Sequence, residues 1–500
     1  MVWRITVSMK SLWPILLLAV AWGLGPALGP LMEGKLLGHG LTDLYPSVWG
    51  LWAFADAQPG LPSNTHWLGF PSGMGYAYSS PIKGWLATPL IPLFGLASTW
   101  NILLVAARVA TVLCAYGAAR AWGLGCRGSV TAAAVYGCSP FFHGYAVEGI
   151  VEGTDGWTLA LWAWALGAKK FRVSAVAFGL TVLSSWYLGM VACLLGGLAV
   201  MKDRRACWSF LGLLFAAPAL WQFFSAFSGS GPIDPVVRAA MGGTLSLPRP
   251  GMSEGLNPFA INTYVGFTVL VAALASRTRW VIAAAIPALL SLGIGPIYDL
   301  PVAEMVRFPY RWHAATLLLL APAVAITAQR MSWGWLIAPL VVAEGLVLSP
   351  VEPMIPGAEA TIPPYVAHVD GPVLNLPGPL AMPPGTVNRS RGRAQYLMYH
   401  QTQHAQPSLW VPDFNSVGVA PAETADLLSK FTELDRLSRA PLPASLPIAA
   451  IQRIGVEVVV LHRRELGTKR TALAKRLLTA NAWTPTFEDE QVIVYDSPED

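Results

Sequence analysis

Three carboxylates crowd one short stretch of the chain, Glu148, Glu152 and Asp155 in FFHGYAVEGIVEGTDGW. Glu148 and Glu152 are one helical turn apart, and Asp155 lies three positions on, so a helix would put all three on one face. The glycines around them permit a loop as readily. Acids packed this closely repel one another, which either a raised carboxyl pKa or a bound divalent cation, Mg or Mn, relieves. Farther on, IYDLPVAEMVRFPYRWHAA carries Arg307 and Arg311, four apart at the mouth of an apolar helix, and their planar donors suit a phosphate or a carboxylate. A single earlier acid, Asp43 in GHGLTDLYPSVWGLWAF, precedes a Trp-rich stretch. A carboxylate that takes a proton from an acceptor hydroxyl, with arginine or a metal to stabilise a departing phosphate, can move a group from a lipid-linked phosphate to that hydroxyl. Each feature also has a plain structural reading: Asp43 as a helix cap, the three acids as a solvated cluster, the arginines as snorkelling anchors.

The elements that must position these residues are mostly apolar. With 54% hydrophobic and 12% charged residues, the chain cannot cover a soluble surface, so the bilayer is its main solvent. The 21 Trp fit the headgroup boundary. Apolar runs near 12–29, 101–119, 128–142, 156–168, 173–185, 187–201, 207–225, 261–276, 280–295, 313–328 and 332–349 predict about eleven transmembrane helices. The segment 84–97, with two prolines, reads as a re-entrant or interfacial piece, or else a twelfth crossing. The first run follows Arg4 and Lys10 and reads as an uncleaved anchor rather than a cleaved signal peptide.

Basic residues fill alternate gaps between the runs, from Arg4 and Lys10 through Lys169, Lys170 and Arg172 to Arg330, whereas the other gaps hold the acids. By the positive-inside trend the N-terminus is cytoplasmic and the acidic loops face outward. Charges placed this way exclude nucleic acid as a partner. After a transmembrane region over 1–350 comes a Pro-rich linker, 351–364, and then a polar region, 365–500, with an ordinary α/β pattern. There GPVLNLPG, VEVVVLH and QVIVYDS read as strands, and ADLLSKFTELDRLS and KRTALAKRLLTANA as helices, giving an extracytoplasmic α/β domain. The five Cys lie in or beside the apolar runs without CxxC spacing, which excludes a thiolate zinc site. No nucleotide-binding or hydrolase motif is present. His400 and His404 are four apart and would share a helix face, read as a solvated or substrate-contacting face.

The first outer loop, 30–83, is long and aromatic, and residues 44–54 form a face suited to a helix lying in the membrane interface, with Asp43 at the surface. A short N-terminal tail, a first span, a long outer loop with an early Asp, many spans and an outer α/β domain together resemble the C-type superfamily of polytopic membrane glycosyltransferases. SPIKGWLATPLIPLFG, SSWYLG, RFPYRW and YLMYHQTQH are similar to stretches in poorly characterised bacterial members. The resemblance implies a multi-pass protein of the bacterial inner membrane that moves a sugar from a polyprenyl-phosphate-linked donor to an acceptor hydroxyl on a glycan, lipid or protein. It implies Asp43 as general base and Glu148, Glu152 and Asp155 as acceptor or metal ligands; the residues themselves further suggest Arg307 and Arg311 at the lipid phosphate and His143 and Tyr145 as sugar contacts. The outer domain has no WWD-type motif, which argues against transfer to a peptide Asn. Two other readings use the same residues: a transporter or lipid flippase, in which Asp43 and the Glu148 to Asp155 cluster gate or bind cations, and a non-catalytic envelope assembly protein; against the first, no span carries a charge along its middle except Glu344 near the last helix.

Overall fold

A computed structural model describes residues 9–57, 64–75, 78–227, 263–293, 298, 308–378, 387–409, 441–498 and a few positions within 426–434. The chain divides into two compact units. One is made of Met1–His39, Ser79–Leu220 and Gly231–Glu359, the other of Gly40–Tyr78, Trp221–Ser230 and Ala360–Asp500. The long first outer loop is therefore shared out, most of it belonging to the second unit.

Among the described residues, Leu12–Met32, Leu96–Ala121, Arg204–Ser225 and Pro309–Arg330 are long and apolar enough to cross a membrane. Phe171–Ser184, Trp186–Lys202, Phe267–Ser276, Arg279–Leu290 and Gly334–Val347 are shorter apolar helices. The chain is a multi-pass membrane protein whose helices are more broken than the apolar runs imply. The run 128–142 is the clearest case. Helix Cys126–Gly137 stops, Ser139 accepts a hydrogen bond from the Phe142 amide at 3.5 Å, and Pro140 opens a separate helix, Pro140–Glu148. Helix Pro81–Phe94, with Pro89 and Pro92 inside it, ends at Gly95 (φ 75°). At the usual rise it measures about 21 Å, short of the hydrocarbon core.

Within the first unit the helices pack on small residues. A Cβ on Gly137 would come 2.7 Å from the Val112 Cα, so helices Cys126–Gly137 and Leu96–Ala121 touch backbone to backbone there. Of the apolar window in Pro309–Arg330, 83% is buried, against 33% in Leu12–Met32, so the former is the central helix of the unit. Two charges inside this packing are consumed structurally. Glu344 accepts hydrogen bonds from the Tyr264 hydroxyl (2.8 Å), the Thr268 amide (2.8 Å) and the Phe267 amide, and so caps helix Phe267–Ser276. An ion-path reading of Glu344 loses its motive. Arg108, a mid-span charge that the sequence reading passed over, donates to the Trp22 carbonyl at 2.6 Å and to His143 Nδ1 at 2.9 Å.

The second unit contains a four-stranded sheet of β1 (Val373–Leu376), β2 (Val458–His462), β3 (Thr484–Glu488) and β4 (Val492–Asp496), in the order β1-β2-β4-β3. Only the β1–β2 pair is parallel. Helix Arg463–Ala480 follows β2 directly and buries Leu466, Ala474 and Leu478 in the core beneath the sheet. Three strands and this helix fall where the sequence pattern places them. β3, TPTFE, was missed because it is a mostly exposed edge strand containing Pro485, with no alternation to read. The ADLLSKFTELDRLS helix lies largely outside the described residues.

The Trp-rich stretch overturns an expectation. Helix Leu44–Trp52 is buried at every position, so it is not an interfacial amphipathic helix. Its aromatic face meets helix Val387–His404, with Tyr45 against Tyr396 and Tyr399 at centroid distances of 5.1 and 5.5 Å. Trp49 Nε1 donates to Gln401 Oε1 at 2.8 Å, and Gln401 Nε2 donates to the Trp67 carbonyl at 2.6 Å. The apolar residues at 44–54 answer to this second helix rather than to lipid. Trp49→Ala should cost about 3–5 kcal/mol, from lost burial and an orphaned Gln401 acceptor. Chemical denaturation of the full chain in detergent, followed by protease sensitivity of residues 387–409, would show it; an unchanged midpoint would contradict this packing.

Candidate functional site

The acidic cluster lies in the first unit, and glycine decides its geometry. Helix Pro140–Glu148 ends at Gly149 in the left-handed region (φ 69°), a short 3₁₀ turn runs over Val151–Gly153, and helix Gly156–Gly167 begins after Asp155. The three acids therefore occupy a helix end, a turn and a helix start, and the single-helix-face alternative is set aside. A Cβ on Gly153 would sit 1.8 Å from the Tyr145 ring, so the turn closes over that tyrosine only with glycine.

Asp155 is buried with Lys83, whose Nζ stands 3.3 Å from Oδ1. Lys83 also donates to the Val151 carbonyl at 2.9 Å and to the Thr154 hydroxyl. Ser80 Oγ donates to Asp155 Oδ2 at 3.1 Å and Trp157 Nε1 to Oδ1 at 3.2 Å. Burial pushes the Asp155 carboxyl above its ordinary pKa, while Lys83 and these donors favour the charged form. Glu152 is the opened member of the set, 19% exposed. Its Oε1 accepts from Arg311 Nη2 at 2.9 Å, and its Oε2 accepts from Ser79 Oγ at 3.1 Å. The Arg311 guanidinium carbon lies 4.0 Å from the Tyr187 ring centroid and 4.8 Å from that of Phe308. Its Nε and Nη1 are buried and make no hydrogen bond among the described residues. A small cavity lined by Tyr187, Met190, Val191, Phe308, Arg311 and Trp312 adjoins it.

The remaining expected residues are placed as follows. Glu148 is buried at the end of its helix. His143 is buried, with Nδ1 on Arg108 and Nε2 2.8 Å from the Glu352 carbonyl, so both ring nitrogens have protein partners. Tyr145 is buried among Phe141, Tyr310 and Gly153. Arg307 lies outside the described residues. Asp43 belongs to the second unit, at the position before helix Leu44–Trp52; its carbonyl accepts from the Ser47 amide at 3.0 Å, and its side chain makes no capping bond. Among the described residues no group of three or more His, Cys, Asp or Glu could hold a metal ion. Glu152 and Asp155 are met instead by Arg311 and Lys83. Lys83 was missed, although a signal existed: like Arg311, it stands on the acid-rich side of the charge alternation, where a cation calls for a partner.

No protein-family model matches the chain, and no curated protein sequence does. Solved structures do. Arabinofuranosyltransferase AftD from Mycobacteria superposes with a TM-score of 0.61 at 16% identity, over 99% of this chain and 40% of that one. The apo oligosaccharyltransferase of Archaeoglobus fulgidus follows at 0.50 and 13%, over 90% of this chain and 69% of that one. ArnT from Cupriavidus metallidurans reaches 0.43 at 16%, over 98% and 100%. The chain shares its fold with AftD. Identities this low establish the fold and leave the chemistry to the residues. The chain spans about two fifths of the length of AftD.

In the second unit, His400 and His404 share one helix, but His400 is buried rather than solvated. Its Nδ1 lies 2.6 Å from the Tyr365 hydroxyl, and its ring packs on Tyr396. Burial lowers the imidazole pKa to about 3, and that of His404 to about 4. The unfolded chain therefore binds more protons than the folded one between about pH 6.5 and the folded values, so stability is fully present above pH 6.5 and falls as pH drops. His400→Asn should flatten that fall by up to about 1.4 kcal/mol per pH unit. Unfolding midpoints from pH 7 to pH 4 would measure it; identical slopes in variant and wild type would contradict the buried, neutral assignment.

Proposed function

We propose that this protein is an integral-membrane glycosyltransferase that moves a sugar from a polyprenyl-phosphate-linked donor to an acceptor hydroxyl. The observation that carries the reading is Arg311, a buried guanidinium on an aromatic bed whose Nε and Nη1 make no hydrogen bond among the described residues. Two such donors in a water-poor setting are suited to an anion that arrives with its own lipid. Arginine fits better than lysine because its planar donors address two phosphate oxygens at once. The C-type fold supports the same chemistry. Glutamate 344 and Arg108, the charges a transporter would use, are engaged in capping and helix packing.

In this reading the acceptor oxygen attacks the anomeric carbon as its proton passes to a carboxylate base, a role the resemblance gives to Asp43. The bond from that carbon to the phosphate oxygen breaks, and Arg311 stabilises the charge left on the lipid phosphate, a role the sequence also offers to Arg307. Asp43 takes the role of base on the resemblance of TDLYPS. Glu152 orients the acceptor, being the most open of the three clustered acids. A divalent cation bound at this cluster would displace Lys83 or Arg311 from its carboxylate. The transmembrane part of about eleven spans lies in a bacterial inner membrane with its N-terminus cytoplasmic, and 365–500 lies outside. Donor lipid and a glycan, lipid or protein acceptor are its partners.

AftD is named an arabinofuranosyltransferase, so a polyprenyl-phosphate-linked arabinofuranose is the first donor to try. With purified protein in liposomes, Asp43→Asn should lower transfer by about 10²–10⁴-fold and Arg311→Gln by about 10²–10³-fold, with circular dichroism unchanged. Full transfer by Asp43→Asn removes Asp43 as base, and full transfer by Arg311→Gln removes the phosphate contact.

A further inference from the structure

The Lys83–Asp155 pair lies apart from the reacting groups just proposed, and its burial needs an account. Lys83 and Asp155 have side chains 3% and 1% exposed. Taking two charges out of water costs several kcal/mol each, and a well-packed apolar pair is often as stable or more so. Stability alone therefore does not explain an ion pair here. What an ammonium offers and an apolar side chain lacks is several donors at one point. All of those donors go to one short turn, to Val151 O, Thr154 Oγ1 and Asp155 Oδ1. The residue enclosed by that turn is Glu152, held on one side by Ser79 and on the other by Arg311. Ser79, Ser80 and Lys83 thus read the turn from one segment, hydroxyls and ammonium on one side, carboxylates on the other.

We infer that Lys83 is a positioning residue: buried against Asp155, it fixes the Val151–Thr154 turn so that Glu152 holds Arg311 with its Nε and Nη1 directed to a lipid phosphate. The inference rests on the phosphate reading of Arg311, and the experiment separates the two. Lys83 touches neither lipid nor acceptor; it acts through the turn.

The double variant Lys83→Met/Asp155→Leu replaces the ion pair with apolar side chains and should keep a Tm at or above wild type. Amide exchange at 150–156, read by mass spectrometry in detergent, should become about tenfold faster while the rest of the first unit is unchanged. Undecaprenyl phosphate, used as the probe, should bind about tenfold more weakly, because a small misplacement of the guanidinium loses its alignment. Thr154→Val, which keeps the ion pair and removes one acceptor, should move both readouts in the same direction by less; it decides the matter if the double variant does not fold. Unchanged exchange at 150–156, or faster exchange with undecaprenyl phosphate binding intact, overturns the inference. Binding that is equal in wild type and Arg311→Gln overturns the phosphate reading instead, and the exchange result still reports on the clamp.

Discussion

A charge in an apolar chain must have a partner, and the first unit is arranged around that requirement. Lys83 is buried because Asp155 and two neutral acceptors meet it; Arg311 is buried because Glu152 and four aromatic rings meet it. Neither cation could be there alone, since an isolated ion in a low-dielectric interior costs far more than a fold of this size holds in reserve. The two pairs join three separate stretches of chain, 79–83, 151–157 and 311, into one polar island beside the apolar helices. The same rule governs Arg108 and Glu344, whose partners are backbone groups, a histidine and a tyrosine hydroxyl rather than opposite charges. These two tie helices together; the Lys83 and Arg311 pairs tie a turn.

That distinction separates structure from function at the level of single atoms. Glu344 has three donors, and Arg108 has acceptors on both terminal nitrogens with only its Nε unbonded among the described residues. Arg311 is saturated on one nitrogen and bare on two among the described residues, and Glu152 retains some exposure. Arg311 leaves two nitrogens unbonded against one for Arg108, and it alone of the two lines the small cavity. Burial alone would have ranked Arg108 and Arg311 alike.

Much of this was legible in the sequence, for reasons tied to particular residues. The broken charge alternation pointed to Arg311, because a cation on the acid-rich side has no topological reason to be there. The acid cluster was visible as spacing, but its shape depended on Gly149 adopting a left-handed conformation and Gly153 lying against Tyr145, and spacing cannot choose between a helix and a glycine turn. Lys83 carried the same signal as Arg311 and was hidden by its place at the start of an apolar, proline-containing helix. In the second unit, β2 and β4 were legible as buried β-branched runs and β1 as a short, mostly apolar run between Gly-Pro and Pro-Gly; β3 was not, because an exposed edge strand has nothing to alternate.

The Trp-rich stretch shows why hydrophobic periodicity identifies a buried face without identifying what buries it. Tyr45, Trp49 and Trp52 satisfy an interfacial helix as well as a protein-covered one, since indole and phenol suit any boundary with one apolar and one polar side. What decides between lipid and protein is whether the polar atom has a fixed partner. Trp49 Nε1 finds Gln401 more than three hundred residues away in sequence, and Gln401 in turn holds the Trp67 carbonyl, so the aromatic stretch is locked by directional bonds that headgroups do not supply. The helix that follows Asp43 is therefore anchored in the second unit by hydrogen bonding as well as by burial, and the backbone carrying the proposed base is held by protein, whatever the state of the surrounding lipid.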